Sequence, residues 1–315
     1  MRITILDVDT LGNDLDLSPI TSLGDVSIYP LTLKDDVIKR IQDAEIVVLN
    51  KVKLTRENLP YANNLKLICI TATGYDNVDI EYCREHGIAV CNVVGYSTDS
   101  VVQHTLSMAF SLATNLIPFN NYVKSNAYTK SGIFNCITPV FHEMSNKTWG
   151  VVGLGNIGLK VAKIAREMGC KVIAYKRTPI EEFECCDIDT LCKNSDIISL
   201  HTPLNDETRE LINKDRLNLM KKNAILINVA RGAVVDEEAV TCAIEEGKIS
   251  GLGVDVYSTE PMLKDSPYQR ILGYENTIFT PHMAWGAFEA RQRCVDEIGE
   301  NIKSFYNGEK RCRVV

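Results

Sequence analysis

The chain has 315 residues, 45% of them hydrophobic, which suits two domains that each bury a core. Its net charge of −7 argues against nucleic acid or an anionic membrane as a partner, and no apolar run is long enough to span a bilayer. Eleven scattered cysteines without CxxC spacing favour reduced thiols. We therefore expect a cytoplasmic protein, and no metal site, because the only cysteine cluster (Cys185, Cys186 and Cys192) lacks a fourth ligand at zinc spacing.

Short apolar strands alternate with helices in the first hundred residues, which predicts βαβ units and a parallel sheet. The predicted strands are Ile3–Asp7, Val26–Pro30, Ile46–Asn50, Leu67–Thr73 and Ala89–Val93, and the predicted helices are Lys34–Asp43 and Ile80–His86. Ligands collect at the carboxyl ends of such strands. Two ends suit this, Asn50-Lys51 and the turn Thr71–Asn77, whose backbone N–H groups can hold a carboxylate. An ordinary turn at Gly74 explains the second segment equally well.

A long apolar helix is predicted from Val101 to Leu116, after the polar loop Gly95–Ser100 and before Pro118. Its apolar content predicts burial between two layers or two domains. Residues 119–147 are expected to be irregular, with one short helix.

The stretch Thr148–Gly158 combines an apolar strand with the pattern Gly153-Leu154-Gly155-Asn156-Ile157-Gly158. In a dinucleotide site Gly153 allows the tight turn, Gly155 lets the backbone approach a pyrophosphate, and Gly158 lets the next helix pack on the strand. That helix is amphipathic and opens with N–H groups free to hold an anion. A purely structural glycine turn is the alternative.

Five further strands follow the glycine loop, giving the six that a Rossmann sheet needs. They are predicted at Lys171–Tyr175, Asp196–His201, Ala224–Ala230, Gly251–Tyr257 and Thr277–Thr280. A final helix, Phe288–Tyr306, carries an apolar stripe and is expected to return to the first domain.

The second of these strands ends in Lys176-Arg177-Thr178, where NAD sites commonly carry an acidic residue for the ribose 2′-hydroxyl. Arg177 can pair bidentately with a 2′-phosphate, so the sequence favours NADP(H) over NAD(H). The alternative is that both cations are solvated and NAD(H) binds without a carboxylate clamp.

Three later strands end in Arg231-Gly232, in Ser258-Thr259-Glu260-Pro261 and in Pro281-His282. With the glycine loop, the motifs Asn228–Gly232, Asp255–Pro261 and Pro281–Trp285 make the chain resemble the D-isomer-specific 2-hydroxyacid dehydrogenase family over essentially its whole length. The resemblance implies an α/β protein of two doubly wound parallel-sheet domains, with a Rossmann NAD(P)-binding domain inserted in a flavodoxin-like substrate domain. The implied parts are residues 1–98 for substrate, 99–286 for the dinucleotide, and 287–315 as the returning helix.

The family also implies catalytic roles that suit these side chains. His282 is the expected acid/base, because an imidazole titrates near neutral pH. Glu260 is expected to fix its tautomer and raise its pKa. Arg231 is expected to bind the substrate carboxylate, with further contacts from Thr73, Gly74, Asn50 and Lys51. Each residue alone has a structural explanation, but the three strand ends together favour catalysis.

The cofactor contacts implied by the motifs run from the pyrophosphate to the nicotinamide. They are Thr105, Gly153, Leu154, Gly155, Asn156, Ile157, Gly158, Lys176, Arg177, Thr178, His201, Thr202, Pro203, Thr208, Val229, Ala230, Arg231, Asp255, His282, Ala284 and Gly286. Asp255 is expected to bond the carboxamide. Of the other histidines, His86 and His142 are expected to be solvated and His104 to serve packing.

Within the family the resemblance is closest to glycerate dehydrogenase/hydroxypyruvate reductase, through Leu49–Thr55, Ala72–Asp79, Gly95–Thr105 and His282–Trp285. It implies reduction of hydroxypyruvate or glyoxylate and a homodimer formed through the second domain. D-lactate dehydrogenase stays open, and so does short-form phosphoglycerate dehydrogenase. A formate dehydrogenase is disfavoured by Glu260. A dinucleotide-sensing binding protein of this fold is the alternative from another class.

Overall fold

The chain divides into two α/β units, and each has its own parallel sheet. The computed structural model describes residues 1–178 and 180–315. The first unit is Met1–Ser97 with Trp285–Val315, and the second is Thr98–Ala284. The assignment of substrate binding to the first unit and of cofactor binding to the second stays a prediction. Among the described residues, no helix combines the length and the apolar character needed to cross a membrane.

The regular elements are short strands joined mostly by helices. The strands are β1 Arg2–Ile5, β2 Asp25–Ile28, β3 Ile46–Leu49, β4 Leu67–Ile70, β5 Ala89–Cys91, β6 Thr148–Val152, β7 Lys171–Tyr175, β8 Glu184–Cys185, β9 Ile197–Leu200, β10 Ile225–Asn228, β11 Gly251–Val254 and β12 Thr277–Phe279. The α-helices are α1 Ser18–Thr21, α2 Val37–Ile41, α3 Ile80–Glu85, α4 Thr98–Ala113, α5 Leu116–Lys124, α6 Ala127–Ser131, α7 Asn156–Glu167, α8 Ile188–Asn194, α9 Lys214–Leu219, α10 Glu237–Glu245 and α11 Phe288–Tyr306. Short 3₁₀ turns lie at Val8–Leu11, Lys34–Asp36, Leu59–Tyr61, Gly232–Val234 and Pro267–Arg270.

The first unit has the strand order β2-β1-β3-β4-β5, with every pair parallel. This is the flavodoxin-like order that the resemblance implied, and that fold prediction is confirmed. The central strands β3 and β4 are buried on both faces, as apolar strands in a parallel sheet must be. Helix α11 buries its stripe of Cys294, Val295, Ile298 and Ile302 against one side of this sheet.

The second unit has the order β12-β11-β10-β9-β6-β7-β8, again all parallel. It is the Rossmann order with one strand added beyond the sixth, so the predicted Rossmann fold is confirmed and the predicted count of six strands is wrong. The missed strand, β8, has only two residues at the sheet edge. A segment that short has no alternation pattern by which the sequence can reveal it.

The predicted long helix also differs from the structure. Helix α4 ends at Ala113, and Asn115 takes the left-handed conformation with φ 52°. A new helix, α5, then begins at Leu116 and includes Pro118, whereas the sequence predicts Pro118 beyond the end of the helix. A proline in the first turn is tolerated because its missing N–H would have no intrahelical partner there.

The register of the second sheet brings the strand ends together at one edge. Val152 pairs with Leu200, Leu200 with Asn228, Asn228 with Val254, and Val254 with Phe279. The residue after each of these therefore leaves the sheet at the same level. This edge carries the glycine loop and the three polar strand ends, which is where ligands bind in open α/β sheets.

Candidate active site

The glycine loop after β6 gives each of its three glycines a different environment. Gly153 has φ +94°, and a Cβ there would lie 2.7 Å from the carbonyl oxygen of His201. Gly155 has no atom within 4 Å of a built Cβ, so its backbone faces open space. A Cβ on Gly158 would collide with the carbonyl oxygen of Gly153. The geometry fits the turn, the close approach and the helix–strand packing of a dinucleotide loop, while the cofactor contacts stay a prediction.

Helix α7 follows this loop directly, with Gly155 as its N-cap. The helix buries Gly158, Val161, Ala162 and Ala165 against the sheet, so its axis is fixed relative to β6. Its first backbone N–H groups have no intrahelical acceptor and carry the positive end of the helix dipole. An anionic pyrophosphate is the group that such an end holds best.

The end of β7 carries the residues predicted to read the ribose 2′ position. Lys176 is half-buried, whereas Arg177 and Thr178 are exposed. Nη1 of Arg177 lies 3.9 Å from Oε2 of Glu207, a neighbour that the sequence did not reveal. Both side chains are more than 70% exposed, so this ion pair is weak and a phosphate can compete for the guanidinium.

His201, predicted to contact the adenosine side, is held in a buried network. Its Nε2 lies 3.0 Å from Oγ of Ser199, and the Trp149 indole N–H donates to the same Oγ at 3.0 Å. Nδ1 is buried without a partner. Burial lowers the pKa of His201 to about 3, so this imidazole is neutral and does not carry acid/base chemistry.

Thr202 and Pro203 follow His201 along the same edge, and Thr208 closes the loop behind them. The Thr208 hydroxyl donates to the Pro203 carbonyl at 2.7 Å and accepts from the backbone N–H of Asn205 at 2.8 Å. Thr208 is buried. In this arrangement it shapes the loop and does not present its hydroxyl to a ligand.

Arg231 leaves β10 in a turn that Asn228 fixes. The Asn228 amide donates to the Arg231 carbonyl at 2.9 Å and accepts from the Ala230 N–H at 3.1 Å. The next residue, Gly232, packs so closely on the backbone of Tyr257 and Ser258 that a Cβ has no room. The loop that carries Arg231 and the loop that leads to Glu260 are therefore in direct contact.

His282 and Glu260 form a close pair. Nδ1 of His282 lies 2.6 Å from Oε2 of Glu260, and the other oxygen, Oε1, accepts from the Tyr257 N–H at 3.1 Å. A carboxylate can only accept, so Nδ1 carries the proton and Nε2 is the nitrogen left for chemistry. Both side chains are partly exposed, at 25% and 32%, as a group that meets a substrate must be.

Asp255, at the end of β11, organises the turn that carries His282. Its carboxylate is fully buried and accepts hydrogen bonds from the Thr280 hydroxyl at 2.5 Å and from the N–H groups of Met283 and Ala284, each at 2.9 Å. Its carbonyl accepts from the His282 N–H at 2.8 Å. The predicted contact between Asp255 and a carboxamide stays a prediction.

His104 on α4 is predicted to serve packing, and the structure adds a polar contact to that role. Its Nε2 lies 3.0 Å from the Thr280 hydroxyl and 3.8 Å from Oδ1 of Asp255. Sequence reasoning missed both His104 and Thr280 as parts of the site. One signal was available, because a histidine between the buried residues Val101 and Met108 of an apolar helix needs a polar partner.

The other predicted cofactor residues, on α4 and in the segment 284–286, make hydrogen bonds within the protein. Thr105 is fully buried and donates its hydroxyl to the Val101 carbonyl at 2.8 Å, so the structure does not present it for a ligand. Ala284 is buried, and its N–H is used by Asp255. Gly286 belongs to the first unit, where its carbonyl accepts from Arg291 Nε at 2.9 Å.

The substrate residues predicted in the first unit lie at the ends of β3 and β4. Buried Asp7 accepts hydrogen bonds from the N–H groups of Asn50, Lys51 and Val52 at 2.8, 2.6 and 3.1 Å. Asn50 is itself buried and donates to Thr10 Oγ1 at 3.0 Å, whereas Lys51 is exposed.

The second predicted substrate turn is held from the neighbouring strand. Thr73 donates its hydroxyl to the Val93 carbonyl at 2.9 Å and accepts on its own carbonyl from the Asn92 amide at 2.7 Å. Gly74 is half-buried. Within residues 1–178 and 180–315, no three His, Cys, Asp or Glu side chains are grouped as a metal site requires.

Comparison with known proteins places this site in a family. The family model for "D-isomer specific 2-hydroxyacid dehydrogenase, NAD binding domain" matches residues 106–284. The hydroxypyruvate reductase of Blautia hydrogenotrophica is 35% identical over 98% of this chain and 98% of its own length. The glycerate dehydrogenase of Methylorubrum extorquens is 36% identical over 87% of this chain and 86% of its own.

A solved structure gives the same result. The D-lactate dehydrogenase of Aquifex aeolicus, complexed with NAD and lactic acid, has a TM-score of 0.86 and 31% identity over 98% of this chain and 96% of its own. The predicted family is confirmed, together with the nicotinamide dinucleotide as the type of cofactor. The chain belongs to the D-isomer specific 2-hydroxyacid dehydrogenase family and is an oxidoreductase.

Proposed function

We propose that the protein reduces a small 2-keto acid, hydroxypyruvate or glyoxylate, to the D-2-hydroxy acid, D-glycerate or glycolate. The observation that carries this proposal is the 2.6 Å pair of His282 and Glu260 on the sheet edge that also carries Arg231. The relatives named hydroxypyruvate reductase and glycerate dehydrogenase support the choice of substrate. D-lactate or another D-2-hydroxy acid is the second candidate, supported by the structural relative that holds lactic acid.

In the reduction, C2 of the keto acid receives a hydride and its oxygen receives a proton. The bound NAD(P)H supplies the hydride. Protonated His282 donates from Nε2 to the developing alkoxide and keeps its Nδ1–H on Glu260, so the imidazole ends neutral and oriented. Arg231 offers two parallel N–H donors to the substrate carboxylate, which a lysine does not reproduce. Oxidation runs the same steps in reverse.

The finer substrate contacts are proposed on two turns of the first unit. The backbone at Thr73 and Gly74 is proposed to bind the carboxylate, because a partly exposed turn of small residues offers N–H donors. Lys51 is proposed to read the C3 hydroxyl of hydroxypyruvate. Asn50 is buried, so it is proposed to position Lys51 and to offer the substrate only a small contact.

NADP(H) is proposed over NAD(H). The tip of β7 has no carboxylate of its own to repel a 2′-phosphate, and it offers Lys176, Arg177 and Thr178 to bind one. Glu207 opposes this preference because it lies beside Arg177. The ratio of the Kd values for NADPH and NADH shows whether the effect of Arg177 or that of Glu207 is larger.

The first experiment measures initial rates with hydroxypyruvate, glyoxylate and pyruvate, each with NADPH and with NADH, for the wild-type protein and for H282A. Fastest turnover of hydroxypyruvate with NADPH, abolished in H282A, supports the substrate, the cofactor and the acid/base together. A preference for NADH contradicts the role of Arg177 and leaves the dehydrogenase intact. Fastest turnover of pyruvate supports the hypothesis of a D-lactate dehydrogenase. Tight cofactor binding without turnover of any of the three points to another keto acid or to a sensing protein.

A homodimer through the second unit is also proposed. The segment after α6 exposes large apolar side chains: Ile133 at 63%, Phe134 at 92%, Ile137 at 71% and Val140 at 72%. Such a patch is typical of a protein interface. Sedimentation equilibrium of the wild-type chain tests this, and a single species of 35.1 kDa contradicts it. A cytoplasmic location stays a prediction from the cysteine pattern.

A further inference from the structure

The turn that carries His282 is conformationally demanding. His282 has φ +51°, a left-handed conformation that costs a non-glycine residue free energy and must be held by its surroundings. Much of this support comes from Asp255, whose carbonyl and carboxylate accept the N–H groups of His282, Met283 and Ala284, and the Thr280 carbonyl also accepts the His282 N–H at 3.1 Å. The position of the imidazole therefore depends on the position of Asp255.

The Asp255 carboxylate is itself fixed by the Thr280 hydroxyl. Asp255 is fully buried, and a buried carboxylate is stable only when hydrogen-bond donors surround it. Thr280 Oγ1 lies 2.5 Å from Oδ1, the same oxygen that accepts the Met283 N–H. The three donors to this carboxylate thus come from residues 280, 283 and 284, on both sides of His282 in the chain.

The direction of each hydrogen bond in this network follows from proton count. The Thr280 hydroxyl has one proton and gives it to the carboxylate, which can only accept. Its oxygen must then accept at the 3.0 Å contact with Nε2 of His104, so His104 carries its proton on Nε2. Burial lowers the pKa of His104 and outweighs the opposing effect of the Asp255 charge. His104 therefore acts as a donor in its neutral form.

The same threonine reaches the Glu260 side of the pair. The Thr280 carbonyl accepts the Tyr257 hydroxyl at 2.9 Å, and the Tyr257 N–H donates to Oε1 of Glu260 at 3.1 Å. His282 is thus held through its backbone by Asp255 and through its side chain by Glu260. Both supports meet at Thr280.

We infer that Thr280 and His104 are positioning residues for His282, acting through the Asp255 carboxylate. This inference rests on the proposed acid/base role of His282. Neither side chain is asked to touch substrate. The chain His104 to Thr280 to Asp255 keeps the turn and the imidazole in the geometry in which Nε2 can transfer a proton, and a loosened network lowers the rate of that transfer more than it lowers binding.

The chain offers a matched control at the start of β12, the strand that ends just before Thr280. Thr277 is buried, whereas Thr280 is half-buried, and the Thr277 hydroxyl shares its proton between the carbonyls of Ile271 and Tyr274, at 3.0 and 2.9 Å, and does not reach Asp255. T280V and T277V each remove one hydrogen-bonded hydroxyl with little change in shape. Only T280V is expected to lower kcat with hydroxypyruvate, by about tenfold, with KM and the Kd for NADPH and NADH within about twofold of wild type.

His104 provides an independent pair of variants. H104L removes the donor to Thr280, whereas H104Q keeps an N–H near the position of Nε2. We expect H104L to lower kcat by roughly threefold to tenfold and H104Q to restore most of it, because a lost buried partner is costlier than a changed one. Equal activity of H104L, H104Q and wild type overturns the role of His104.

A readout independent of turnover follows from the small number of histidines. The chain has five, so long-range ¹H–¹⁵N spectra can resolve the ring nitrogens of each imidazole. Charged and polar groups around the His282 turn in the second unit include Glu260, Asp255, Tyr257 and His104. The inference predicts that the His282 ring ¹⁵N resonances, recorded at one fixed pH, move in T280V and not in T277V. An identical movement, or no movement, in two variants that both keep the wild-type far-UV circular dichroism spectrum overturns it.

The two proposals fail in different ways. If H282A keeps wild-type turnover, the proposed acid/base role is wrong. If H282A is inactive while T280V matches T277V in kcat and in the His282 ring ¹⁵N resonances, the acid/base role stands and the positioning network is wrong.

Discussion

The glycine loop gives the most specific prediction, because alanine at two of its glycines is expected to impair two different properties, cofactor binding and stability. Gly155 has φ −81° and open space around a built Cβ. Alanine therefore fits without strain in G155A, and the added methyl group points where the backbone is expected to meet the pyrophosphate. Gly158 lies inside α7, and alanine there meets the Gly153 carbonyl oxygen.

The magnitudes separate the two variants. Overpacking costs about 1–3 kcal/mol, and a backbone oxygen cannot rotate aside as a side chain can, so G158A is expected near the upper end. The better helix propensity of alanine returns about 1 kcal/mol. The net loss of about 2 kcal/mol corresponds to a Tm lower by roughly 4–8 °C. G155A is expected to stay within about 1 kcal/mol of wild type, because its backbone conformation suits alanine.

The assay pairs thermal unfolding with NADH and NADPH titrations followed by cofactor fluorescence. G155A is expected to keep the wild-type Tm and to bind either cofactor at least about tenfold more weakly, a loss of about 1.4 kcal/mol. G158A is expected to have a lower Tm than wild type. Wild-type cofactor affinity in G155A refutes the close approach at that glycine. An unchanged Tm in G158A refutes the packing argument.

Three further variants test the rest of the site. Burial lowers the pKa of His201 from 6.5 to about 3, so the unfolded chain takes up a proton below pH 6.5 that the folded chain refuses, and stability is lost as the pH falls through that window. We expect urea unfolding at pH 7 and pH 4.5 to show that the free energy of unfolding falls by about 2–3 kcal/mol less in H201N than in wild type. An equal fall in the two proteins contradicts the burial argument. E260Q is expected to lower kcat about 100-fold or more while KM changes little, and a near-normal kcat means that Glu260 does not orient His282. R231K keeps the charge but loses the planar fork, so KM for the keto acid should rise about tenfold. An unchanged KM removes Arg231 from carboxylate binding.

Much of this protein follows from the sequence, because the relevant signals are local. The spacing of Gly153, Gly155 and Gly158 after an apolar strand specified a dinucleotide loop, since each glycine answers a requirement of its own turn. The alternation of strands and helices specified two parallel sheets, and strand ends in such sheets share an edge. The motifs around Arg231, Glu260 and His282 could therefore be assigned to one site before any contact was known.

The tertiary structure decided what depends on residues far apart in the chain. The bond between His104 and Thr280 joins positions 176 residues apart, and no period or turn rule relates them. Arg177 meets Glu207, and Asp7 holds the turn at Asn50, only because of where the loops at the strand ends run. Strand β8 is too short to leave a pattern, and α5 begins at a point that depends on Asn115 taking a left-handed turn. Local sequence sets which segments can form and which chemistry they carry, while the strand order sets which side chains meet.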